Sequence, residues 1–149
     1  FLERVRLAQQ FLRENLPEEA LNEYIIAESL YQGDFLAEDI YEDWIQPQRQ
    51  HLTQVYLTVA SHLTDHHLMR KEFAAAITLC QRILTIAPCQ EEAHRNLMQC
   101  YTQLGQRNLA VRQYQLCLKA LKDELDIAPS RETQALYGEL LQPVKARTH

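Results

Sequence analysis

The chain has 149 residues, a formal net charge of −5, 46% hydrophobic residues and only three glycines. That length suits one compact domain or helical array burying roughly two-thirds of its unfolded surface. Abundant Leu, Ala, Gln, Glu and Arg, with so little turn glycine, exclude a sheet-rich class, and no run of 18 apolar residues marks a membrane-spanning helix.

The elements follow in chain order. Residues 2–15 place Leu2, Val5, Leu7, Ala8, Phe11 and Leu12 on one helical face. Pro17, followed by Glu18 and Glu19, opens a second helix carrying Leu21, Tyr24, Ile25 and Leu30 as far as Gly33. Residues 35–47 form an acidic and aromatic insertion with Phe35, Tyr41 and Trp44. A long helix then carries Leu52, Val55, Tyr56, Val59 and Leu63 at helical spacing, and its partner runs over residues 72–86. Pro88 stops that partner, Glu91 and Glu92 begin the next helix, and Gly105 caps it. Residues 108–125 complete a third pair, residues 131–141 form a capping helix, and Pro143 begins a polar tail. The expected division is therefore one helical-repeat domain over residues 1–142, with pairs at 1–34, 48–90 and 91–126, a cap at 131–142 and a tail at 143–149.

A 34-residue self-match underlies this division. Ala76, Ile77, Cys80, Gln81, Ile83 and Leu84 recur in kind as Ala110, Val111, Tyr114, Gln115, Cys117 and Leu118. Ala20, Tyr24 and Ala27 repeat the spacing upstream, and the step from Ala20 to Ala76 is 56, or 34 plus 22. A period of this length predicts a tetratricopeptide-like, right-handed array of about seven helices, all-α in class. One helical pair cannot bury its apolar face alone, so stacked pairs build the core and leave a surface for another molecule.

Charge is divided along the chain. Residues 1–43 carry eleven acids and three bases, residues 44–149 nine acids and twelve bases, and no Lys or Arg lies between Glu14 and Asp43. An acidic first part repels phosphate backbones and the remainder is only weakly basic, which argues against direct DNA contact by this chain.

Sites for chemistry are sparse. Cysteines 80, 89, 100 and 117 include no C-x-x-C pair and read as reduced thiols, two of them on apolar helix positions. His62, His66 and His67 beside Asp65 have the i, i+4 spacing of a metal pair but no indicated third ligand, and a helix C-terminus accounts for them. His94 reads as a core histidine. No nucleophile elbow, phosphate-cradling loop or dinucleotide fingerprint is present, so the chain is read as no enzyme, with no catalytic, cofactor-binding or metal residues assigned and no cofactor required. Candidate partner-binding residues are Tyr41 and Trp44 in the insertion, then Ser61, Asp65, Arg95, Gln99 and Gln103. The last five are polar side chains on the first helices of two pairs, which line the concave face of such arrays.

The ordered set Leu30-Tyr-Gln-Gly-Asp-Phe-Leu-Ala37, Tyr41-Glu-Asp-Trp44, Ala76-Ile-Thr-Leu-Cys-Gln-Arg82 and Pro88-Cys-Gln-Glu-Glu-Ala-His-Arg-Asn-Leu-Met98 carries a resemblance. With Tyr101, Gly105-Gln-Arg107, Tyr114, Glu124-Leu125 and Pro129, it resembles the bacterial transcriptional activator domain found in streptomycete antibiotic regulators. Asp126-Ile127 stands where that family often has a glycine before its apolar residue. The resemblance implies a cytoplasmic transcription regulator whose DNA-binding winged helix lies upstream of this chain. Its helical domain would mediate self-association, as in a homodimer, or contacts with transcription machinery, without membrane or direct nucleic-acid contact. The competing reading is a helical-repeat scaffold or sensor domain of an ATPase- or cyclase-type signalling protein. The missing initiating Met fits a fragment of something larger.

Overall fold

A computed structural model describes residues 1–37 and 46–142, with side chains described for all of these except 32–37 and 46–49. Seven helices and no strand occur among the described residues: α1 (Leu2–Arg13), α2 (Pro17–Ala37), α3 (Gln46–Met69), α4 (Phe73–Ile86), α5 (Glu91–Gln103), α6 (Arg107–Leu125) and α7 (Arg131–Leu140). The fold is all-α, as the composition and the period predict. The chain forms two compact units, residues 1–66 and 67–149, divided within α3.

In the first unit α1 and α2 form an antiparallel pair. Val5 and Ala8 of α1 are buried, as are Ala20, Tyr24, Ala27 and Tyr31 of α2. The small side chains bring the helix backbones close, and Arg4 bridges to Glu23 at 3.0 Å across the pair. Tyr31 stacks on Tyr56 of α3 with ring centroids 4.2 Å apart. The Tyr56 hydroxyl, on a fully buried ring, donates to the Glu28 carboxylate at 2.9 Å. Tyr24 lies 4.8 Å from the His62 ring. The expected stop at Gly33 is not observed: α2 continues to Ala37, because a glycine that follows helix formers weakens a helix without ending it. Tyr41 and Trp44 and the tail 143–149 lie outside the described residues, as does residues 38–45 of the predicted insertion.

In the second unit α5 packs against both α4 and α6, and α7 lies on α5 and α6. The 34-residue register is the register of burial. Ala20, Ala76 and Ala110 are each 0% exposed, and two turns further on Ala27, Ile83 and Cys117 are buried too. Leu118, part of the self-match, is 39% exposed, so the echo also includes outward positions. On the first helices the same steps relate Ala8, Thr64 and Met98, all buried. Thr64 resolves its polarity locally by donating to the Ala60 carbonyl at 2.8 Å.

The turns keep the register as well. Asn15, Lys71 and Gly105 take φ of 61°, 59° and 74°. At each of them the following amide bonds back over the turn, Leu16 to Phe11, Glu72 to His67 and Gln106 to Tyr101, all at 2.8 Å. This is the Schellman closure, which favours glycine at the left-handed position. A fourth left-handed residue, Asp126 (φ 53°), ends α6. Lys71 bears a Cβ in that conformation, which costs about 1–2 kcal/mol in backbone energy. Lys71→Gly is therefore expected to raise stability by about 1 kcal/mol after the entropy of the unfolded glycine is counted. Gly105→Ala should lower it by a similar amount, since its Cβ would meet nothing within 4 Å and only the backbone objects. Urea midpoints of the two variants check both signs.

Candidate functional site

The second unit contains a cavity of about 840 Å³. The end of α3 and the turn after it supply Leu68 and Lys71, and α4 supplies Phe73. From α5 come Gln99, Thr102 and Gln103, which an i, i+3, i+4 spacing puts on one face. The opposite wall is α7 and the residues after it: Leu136, Glu139, Leu140 and Gln142. Four apolar side chains and three glutamine amides thus share the surface, with one lysine and one carboxylate. An amide side chain both donates and accepts, the capacity needed to pair with an extended peptide backbone.

A polar clamp holds the α7 wall in place. The Glu91 carboxylate at the start of α5 accepts from the Thr133 hydroxyl at 2.6 Å, the Ser130 amide at 2.9 Å and the Ser130 hydroxyl at 3.0 Å. Ser130 is the N-cap of α7, its hydroxyl receiving the Thr133 amide. Arg95 donates to the Thr133 hydroxyl at 3.1 Å and lies 3.6 Å from Glu132 and 3.9 Å from Glu91. Partial burial alone raises the Glu91 pKa, but the hydrogen bonds from Thr133 and Ser130 and the charge of Arg95 outweigh it and lower the carboxyl. At the other end of α7 the Arg107 guanidinium donates to the Leu140 carbonyl at 2.8 Å. Between these ends Met98, Ala110 and Leu140 form a core against which Tyr101, Tyr114 and Tyr137 pack. Tyr114 and Tyr137 stack with centroids 3.9 Å apart.

Elsewhere on α5 His94 is buried, as expected of a core histidine. It stands 2.8 Å from the Pro88 carbonyl through Nε2 and 2.8 Å from the Gln113 amide nitrogen through Nδ1. A proton on Nε2 satisfies both contacts, so the ring is neutral, and burial lowers its pKa. Cys80, Cys89, Cys100 and Cys117 are free thiols. Burial pushes the Cys100 and Cys117 pKa values up to about 11, which makes both poor nucleophiles.

Of the residues that the sequence singles out, the structure brings Gln99 and Gln103 together in the cavity wall. Arg95, one turn earlier on α5, lies in the clamp. Ser61 is half-buried and Asp65 exposed, both on the part of α3 that belongs to the first unit. His62 is exposed, and His67 lies 3.1 Å from Glu72. No group of three or more His, Cys, Asp or Glu side chains suited to a metal occurs among the described residues. The sequence does not distinguish Leu68, Phe73, Leu136 and Leu140 as site residues, because an apolar residue on an amphipathic helix reads as core. The clamp was equally hidden, since its members are 39 and 42 residues apart.

These features define a class, a helical-repeat module with an amide-rich cavity. The chain belongs to the bacterial transcriptional activator domain family, whose model matches residues 1–141. A search of curated proteins found no match. The family is regulatory, of transcriptional-activator type, and no helix among the described residues is long and apolar enough to cross a membrane.

Proposed function

We propose that this chain is the regulatory, protein-binding domain of a cytoplasmic bacterial transcription regulator, acting beside a DNA-binding domain carried elsewhere in the parent protein. The observation that carries this reading is the cavity between α3, α5 and α7, with Gln99, Gln103 and Gln142 set among leucines and Phe73. Such a mixture suits an extended segment of a protein partner: the amides pair with its backbone and the apolar groups take its side chains. The acidic character of residues 1–43 supports leaving DNA contact to another domain.

The test is a reporter assay on the parent regulator with Gln99→Arg and Gln103→Arg combined. Gln99 and Gln103 are exposed, so the helices should persist in circular dichroism. Activation should fall at least about tenfold, equivalent to about 1.4 kcal/mol of lost binding, while promoter binding is retained. Undiminished activation by a normally folded double variant would remove the cavity from the function.

A further inference from the structure

Two surfaces away from the cavity are complementary to one another. On α2, Ile25, Ile26 and Leu30 are 46%, 40% and 40% exposed. Helical geometry puts them on the arc that also carries Glu18 and Glu19, opposite the buried Ala20, Tyr24, Ala27 and Tyr31. The ridge is thus aliphatic with acidic company, in a stretch from residue 14 to 43 that has no positive side chain.

In the second unit α4, α5 and α6 enclose a groove of about 380 Å³. Leu84, Leu109 and Leu116 form its apolar walls, Leu97 and Tyr101 its floor, and Arg112 is its charged residue; no carboxylate lines it. Leu109 and Leu116 are each 42% exposed. An apolar groove with a cation at its rim fits an acidic amphipathic helix.

We infer that the α2 ridge of one copy of this chain docks in the α4–α6 groove of a second copy, Ile25, Ile26 and Leu30 meeting the leucines while Glu18 and Glu19 face Arg112. The inference rests on reading the chain as an interaction domain and names a second copy as one of its partners. Charge complementarity selects that occupant: residues 1–43 carry eleven acids against three bases, and the charged residue of the groove is Arg112. Because ridge and groove are different surfaces, the contact is heterologous, with each copy able to donate a ridge and accept another. Electrostatic steering makes the association sensitive to salt.

Sedimentation equilibrium of the chain across roughly a hundredfold range of concentration tests this. The average mass should rise above that of a monomer in low salt and fall back in high salt. Ile26→Ser, which damages only the ridge, and Leu116→Ser, which damages only the groove, should each weaken association about tenfold or more, with helicity unchanged because neither side chain belongs to the buried core. An equimolar mixture of the two variants should form a one-to-one dimer, since an intact ridge meets an intact groove. Arg112→Glu should also weaken association about tenfold, and mixing it with Glu18→Lys/Glu19→Lys should restore it. A mass that stays monomeric throughout, including one where a different protein occupies either face, overturns the inference. So does either serine variant associating normally, or a mixture of the two that stays monomeric. The Gln99→Arg/Gln103→Arg variant should self-associate normally, so the cavity and the ridge contact can fail independently.

Discussion

Replacing Tyr56 with alanine is expected to cost about 3–5 kcal/mol, the usual range for removing a buried aromatic. The ring is fully buried and stacked on Tyr31, and its hydroxyl binds Glu28, so the substitution removes packing and a charge-assisted hydrogen bond together. Tyr56→Phe separates the two contributions. It keeps the ring and its stack on Tyr31 and loses the bond to Glu28, for an expected cost of about 1.5–3 kcal/mol. Urea denaturation read by circular dichroism should order the chains as wild type, phenylalanine, alanine. Equal costs for the two variants would show that the hydroxyl, not the stacked ring, ties α2 to α3.

The second large effect belongs to the clamp. Glu91→Ala removes the shared acceptor of Ser130 and Thr133 and leaves Arg95 facing a fully buried hydroxyl, for an expected loss of about 2–3 kcal/mol in the docking of α7. Hydrogen exchange of the α7 amides should rise while α4 and α5 keep most of their protection. Acid provides the same lesion reversibly. Because the Glu91 pKa is lowered on folding, its contribution is present above the ordinary carboxylate value of 4.5 and is lost as pH falls through the lowered pKa. Wild type should therefore release α7 on acidification, and Glu91→Gln should flatten that part of the pH profile. Since Leu136, Glu139 and Leu140 belong to the cavity wall, partner binding should weaken in step.

The repeat made the helices and their inward faces legible. Alanines recurring at 20, 76 and 110 marked close helix contacts because little else fits there, and all three are fully buried. Turn chemistry was only partly legible. Gly105 declared its left-handed conformation, whereas Asn15 and Lys71 adopt the same one because the packed helices on either side impose it. Gly33 misled in the opposite sense, since a glycine permits a stop without requiring one. For the cavity, Gln99 and Gln103 could be singled out as polar residues on an amphipathic helix, but its far wall comes from α7, brought there by contacts that no local pattern encodes.

The Tyr114–Tyr137 stack and the clamp also decide which face of α5 and α6 is open to other molecules. A repeat array is extended by laying another helix across the last pair, on the surface that Leu140 and Tyr137 occupy in this chain. Here α7 already lies on that surface. Any other helix that sought the same place would have to evict α7 first, giving up an aromatic stack and a buried hydroxyl network before making any contact of its own. A partner of this unit therefore does best on the faces that α7 leaves uncovered.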